Sequence, residues 1–160
     1  MTEHGSAVVI TCSTRAAAGV YPDRSGPIVV DALRGWGFAV GDAVVVADGP
    51  DVEAALRTAI SAAAVLVVTT GGTGLTPTDG TPEATQKVVD RLVPGIAEAI
   101  RLAGVDAGVS SAVLSRGICG VAGSTLIVNL PGSMGGVSSG LAVLEPVVVH
   151  AVSQIQGGGH

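Results

Sequence analysis

The chain has 160 residues and a mass of 15.5 kDa, enough for one domain with a full core, so a single domain over residues 1–160 is expected. Its 13 acidic and 8 basic residues give a formal net charge of -5 with no basic cluster, which leaves no electrostatic footprint for nucleic acid or a polybasic membrane contact. Mean hydropathy is high at +0.61, yet the apolar runs stop at about six residues, well short of a membrane span, and a soluble protein is expected.

In chain order, "AVVITC" (Ala7 to Cys12) is a β-branched run of the kind that forms a strand buried on both faces. It lacks the basic flank of a signal peptide, and with only Cys12 and Cys119 and no CxxC, the thiols are expected reduced in a cytoplasmic protein. A helix is predicted after Pro27, with Ile28, Ala32 and Trp36 facing inward and Gly37 closing it. "VVVA" (Val44 to Ala47) is the second strand, followed by a helix capped by Asp51 with Val52, Leu56 and Ile60 inward. "VLVVTT" (Val65 to Thr70) is the third strand. Beyond a threonine-rich loop, Thr81 is predicted to cap a helix with Pro82 at its first position, carrying Ala84, Val88 and Leu92 inward. Another helix starts at Pro94. "SAVLS" (Ser111 to Ser115) and "STLIVNL" (Ser124 to Leu130) read as later strands. A final helix carries Val137, Leu141, Leu144 and Val148, split or kinked by Pro146, before a frayed "GGGH" end. The fold predicted is α/β, a three-layer α/β/α sandwich on a mostly parallel sheet.

Ligands of such sheets sit beyond the carboxyl ends of the strands, where four loops would converge. The loop "GGTGLTPTDGTP" has Gly71, Gly72 and Gly74 to bring backbone N–H groups close to an anion and leads into a helix start, the design of a phosphate cradle. It is neither a Walker A loop, lacking GK[ST], nor a GxGxxG fingerprint. Asp48 after the second strand and Asp79 in this loop either hold Mg²⁺ beside the cradle or merely open a turn and approach a helix. Arg116 either pairs with a phosphate or is a surface residue, and Asp23 with Ser25 and Gly26 either holds a ligand or makes a turn. The histidines His4, His150 and His160 lie near the termini and supply neither a zinc site nor a Ser-His-Asp arrangement. Ser133 lacks the first glycine of a GxSxG elbow, and the two cysteines read as small buried hydrophobes.

The motifs "TTGGTG" (Thr69 to Gly74), "DGTPEAT" (Asp79 to Thr85), "LSRG" (Leu114 to Gly117), "LIVNLPGS" (Leu126 to Ser133) and "RAAAGVYPDRSGP" (Arg15 to Pro27) resemble the MogA/MoaB family of molybdenum-cofactor biosynthesis proteins, most closely the MogA type. The resemblance spans about Ala7 to Gln156. It implies a homotrimer and an enzyme, a molybdopterin adenylyltransferase that turns MgATP and molybdopterin into adenylylated molybdopterin and pyrophosphate, for handover to a metal-inserting partner. It implies catalytic and Mg²⁺-binding roles for Asp48 and Asp79. Substrate and nucleotide contacts would fall to Gly71, Gly72, Thr73 and Gly74, to Ser115 and Arg116, to Asn129, Pro131, Gly132 and Ser133, and to Ser13, Tyr21 and Asp23. Two positions depart from the family pattern: Thr14, where an aspartate is common, and Met134, where a proline is common. A non-catalytic molybdopterin-binding or scaffold protein of the same pathway is the alternative; it would not need both aspartates. Adenylyl transfer uses a phosphate as nucleophile and needs no strong base, which agrees with the poor histidine supply.

Overall fold

A computed structural model describes residues 4–159; Met1 to Glu3 and His160, with the tip of the "GGGH" end, lie outside the described residues. The apolar runs become strands β1 (Ser6–Cys12), β3 (Val44–Val46), β4 (Leu66–Thr70) and β7 (Thr125–Leu130), all mutually parallel. Short β2 (Ala39–Val40) and β5 (Arg91–Leu92) lie at the edges, and β6 (Cys119–Ala122) runs antiparallel to both β5 and β7. The strand order is β2-β1-β4-β7-β6-β5, with β3 following β2 along the same edge of β1.

Period-two alternation sorts the strand side chains into two cores. Val9, Leu66, Val68, Leu126 and Val128 pack with helices α2 (Ser25–Gly35), α5 (Pro94–Asp106), α6 (Met134–Leu144) and α7 (Val148–Ile155). Ile10, Val67 and Ile127 pack on the other face with α3 (Pro50–Ser61) and α4 (Thr81–Gln86). This is the three-layer α/β/α sandwich expected. Pro146 divides the last helical stretch into α6 and α7, bent by 60°, and Val137, Leu141, Leu144 and Val148 are all buried. Among the described residues, no single helix is long and apolar enough to cross a membrane.

Several local expectations need correction. Ser111 to Ser115 is no strand: residues Ser110–Leu114 form a 3₁₀ helix with Val113 and Leu114 exposed. It packs on α5 where Gly104 leaves room, since a Cβ there would lie 2.6 Å from the Cβ of Ala112. Helix α2 starts at Ser25, two residues before Pro27, because the Asp23 carboxylate accepts from Gly26 N at 3.0 Å. That earlier start brings Val29, Val30 and Leu33 into the core and leaves Ile28 exposed, with Ala32 and Trp36 packed at the core margin. Helix α3 is entered through Gly49 and Pro50, so Asp51 sits in the first turn instead of capping it; Ile60 is only partly buried and Ala59 takes the inward place. In α4 the cap is Gly80 and Thr81 is already helical; the helix ends at Gln86, so Val88 is half-buried and Leu92 exposed on β5.

Candidate functional site

The carboxyl ends of β1, β3, β4 and β7 face one rim, and a cavity of ≈ 860 Å³ opens over them. Each of the four following loops contributes to its wall: Ser13, Tyr21 and Asp23 from the first, Asp48 from the second, Gly71, Gly72 and Asp79 from the third, Gly132 and Ser133 from the fourth. Ser13 caps the short helix α1 (Thr14–Ala17) by accepting from Ala16 N, and its hydroxyl meets that of Tyr21 at 3.2 Å. Both oxygens of Asp23 are engaged, Oδ2 by the Thr11 hydroxyl at 2.8 Å and Oδ1 by Gly26 N, so its local work is to start α2 at the cavity wall.

The two carboxylates differ in their settings. Asp48 Oδ2 accepts from the Thr14 hydroxyl at 3.0 Å and from Thr14 N at 3.3 Å, while the Asp48 N–H donates back to the same hydroxyl at 3.1 Å. Its other oxygen, Oδ1, is buried with no hydrogen-bond partner among the described residues, beside the glycine loop: a Cβ on Gly72 would stand 3.0 Å from it. A buried charged oxygen left without a donor is costly unless something else completes its shell. Asp79 Oδ2 instead accepts from Thr76 N at 3.1 Å and lies against Gly74, so this carboxylate also shapes its own loop.

The Arg116 guanidinium is engaged within the protein. Its Nε donates to Gly74 O at 2.9 Å, its Nη2 to Asp79 O at 2.9 Å, and its Nη1 pairs with the Glu83 carboxylate. Its backbone N–H donates to Thr73 O at 2.7 Å. The guanidinium thereby fastens the loop from Thr73 to Glu83, and its hydrogen bond holds the Glu83 carboxyl below the usual carboxylate range. The residue follows the 3₁₀ helix instead of a strand, its side chain is partly exposed, and it is not among the residues lining the large cavity.

A second cavity of ≈ 260 Å³ adjoins the first through Gly132 and Ser133, which line both. Thr73, Gly74, Ser115 and Pro131 belong to this smaller space. Asn129 lines neither. It is buried, with Nδ2 donating to the hydroxyls of Thr69 and Thr85 at 3.0 Å and Oδ1 accepting from Ile118 N at 3.1 Å, and so ties β4, α4 and the approach to β6 together. Its place is behind the site. Cys12 and Cys119 are buried, burial pushing the thiols up to about 11 and about 12, so neither presents a thiolate near neutral pH.

Sequence reasoning missed Thr14 as a partner of Asp48, noting it only as a departure from a pattern. It also took Thr81 for a cap, whereas the Thr81 hydroxyl donates to Gly71 O at 3.0 Å and so holds the glycine turn. Neither partner is near in sequence, and only the closed rim brings them together.

A mostly parallel α/β sheet with a glycine loop and acids at its carboxyl rim defines a ligand-binding α/β domain. The family described as "Probable molybdopterin binding domain" matches residues 8–150, and the chain belongs to it. It is 41% identical over 155 residues to the molybdenum cofactor biosynthesis bifunctional protein of Synechococcus elongatus, covering 96% of this chain and 48% of that protein. To the molybdopterin adenylyltransferase of Helicobacter pylori (strain ATCC 700392 / 26695) it is 34% identical over 153 residues, 93% of this chain and 86% of that one. The structure of the molybdopterin biosynthesis Mog protein from Mycobacterium ulcerans superposes with a TM-score of 0.90 at 56% identity, covering 94% and 98% of the two chains. The chain spans about half the length of the bifunctional relatives it matches.

Proposed function

We propose that this chain is a molybdopterin adenylyltransferase of molybdenum cofactor biosynthesis, working as a single domain in the cytoplasm. The observation that carries the reading is the unpartnered buried oxygen of Asp48 beside the glycine loop, in a cavity of a size suited to a nucleotide. The adenylyltransferase name of a relative covered over 86% of its length supports the same reaction. ATP takes the larger cavity and the pterin the smaller, so that their phosphates meet at the shared wall of Gly132 and Ser133.

Asp48 and Asp79 suit Mg²⁺, which is ordinarily held by one or two carboxylates together with substrate phosphates. When bound, the ion neutralises phosphate charge. The terminal phosphate oxygen of molybdopterin attacks the α-phosphorus of ATP, the bond to the β-phosphate breaks, and pyrophosphate leaves. Thr14 orients Asp48, while Arg116, Thr81 and Asp79 fix the glycine loop so that the N–H groups beyond Gly71, whose own N–H is bonded to Leu130 O, meet the phosphates without reorganising. Mixing the protein with MgATP and molybdopterin is expected to release one pyrophosphate per pterin; calorimetry that finds pterin binding but no ATP binding would replace the enzyme with a carrier.

The assembly proposed is a homotrimer. Leu102 on α5 and Val113 on the 3₁₀ helix are each 63% exposed, and Leu114 is exposed beside Val113, an apolar surface of the kind a second copy covers. Light scattering should give the mass of three chains, and a monomer mass would refute the assembly.

A further inference from the structure

We propose that Arg15 and Arg24 form a clamp for a polyphosphate, gripping the part of a nucleoside triphosphate that leaves. The inference rests on the reading of the large cavity as the ATP site and adds the basic side chains to it.

The chain has eight basic residues, few enough to follow one by one. Arg34, Arg57, Lys87 and Arg116 are each ion-paired with a carboxylate. Arg101 donates to the carbonyls of Ser115 and Gly117 and lines the smaller cavity. Arg91 lies on the edge strand β5, at the opposite side of the sheet from β1. Only Arg15 and Arg24 line the large cavity. Both are exposed, and among the described residues neither has an ion-pair or side-chain hydrogen-bond partner.

Their lack of partners is informative because carboxylates are close by. Asp23, Asp48 and Asp79 line the same cavity, yet Asp23 is engaged by Thr11 and Gly26, Asp48 by Thr14, and Asp79 by Thr76. The cavity thus keeps its acids on hydroxyl and amide donors and leaves its two guanidinium groups unpaired. Their backbones are well fixed. Arg15 sits in α1, held by the Ser13 cap and by Ser13 N donating to Val46 O at 2.9 Å, and Arg24 precedes Ser25 at the start of α2, beside the bound Asp23. Two planar forks on fixed supports at one cavity mouth match an anion with several oxygens in a row, and guanidinium pairs well with phosphate. Charge that builds on the departing pyrophosphate is what such groups stabilise in phosphoryl transfer.

The test is calorimetric titration with inorganic tripolyphosphate and Mg²⁺, and separately with MgATP and AMP. Wild type is expected to bind tripolyphosphate in competition with MgATP. Arg15→Ala and Arg24→Ala should each weaken tripolyphosphate by about tenfold, and the double variant by more, as expected for lost charged hydrogen bonds. AMP, lacking the polyphosphate, should bind all variants within about threefold of wild type. Lysine at either position should recover part of the affinity, and Arg91→Ala should change nothing. Wild-type affinity for tripolyphosphate in the double variant overturns the clamp and leaves the ATP reading standing. Failure of wild type to bind either tripolyphosphate or MgATP overturns both together.

Discussion

Asp48→Asn is expected to lower adenylyl transfer by about 10²–10³-fold while the protein melts within a few degrees of wild type. The asymmetry of the Asp48 carboxylate is the reason. One oxygen is saturated by Thr14, through both hydroxyl and amide, and an asparagine carbonyl can accept those same bonds. The other oxygen is buried, unpartnered and close to the Gly72 turn. Putting an amide NH₂ there removes the negative charge and offers hydrogen-bond donors where a cation should be held. Folding changes little, because the Thr14 contacts are kept and an unpartnered neutral amide costs no more than the unpartnered charged oxygen it replaces. Asp79→Asn is the weaker test, since Asp79 also accepts from Thr76 N and lies against Gly74, so its substitution disturbs loop geometry as well as charge. Single-turnover pyrophosphate release and a thermal melt on the same preparation decide the matter. Turnover of Asp48→Asn within tenfold of wild type would remove Asp48 from the mechanism.

The central sheet was legible because its strands are buried on both faces. Runs such as Val65 to Val68 have no polar side to disguise them, and β1, β4 and β7 all appear where their apolar residues cluster. Strand β6 was not legible: Cys119 to Ala122 is four residues with Gly120 among them, between Gly117 and Gly123, and carries little β-propensity. A usable signal was present in the two-residue link Gly123 and Ser124, a hairpin turn between Ala122 and Thr125. The Ser111 to Ser115 segment misled in the opposite way, since its apolar residues imitate a short strand while pointing to solvent. At the candidate site, the position of Gly71, Gly72, Asp48 and Asp79 on the cavity rim could be read from their spacing after strands. Arg116 could not, because its partners Gly74, Asp79 and Glu83 lie 33 to 42 residues away and only folding determines whether its fork meets carbonyls or a ligand.

Gly71→Ala is expected to destabilise the fold by about 3 kcal/mol, a fall in melting temperature of roughly 10 °C for a chain of this size. Two effects coincide at this residue. Its φ is +88°, a region side-chain-bearing residues avoid, and a Cβ there would stand 2.5 Å from the backbone oxygen of Cys12. That oxygen belongs to the end of β1, where Thr11 is in register with Thr70, so it cannot move aside without disturbing the last rung of the β1–β4 ladder. Retreat toward β7 is closed as well, because Gly71 N donates to Leu130 O and Gly132 lies close to the Gly71 Cα. Three strand ends are therefore packed backbone to backbone around this glycine, directly beneath the large cavity. Gly123→Ala separates the two effects: its φ of +59° is also positive, but among the described residues nothing lies within 4 Å of the added Cβ, so it should cost only about 1 kcal/mol. Equal melting shifts for the two variants would mean that the close approach at Gly71 contributes nothing. A larger shift for Gly71→Ala, with MgATP affinity falling in the same variant, would tie the fit of the strand ends to the shape of the phosphate loop.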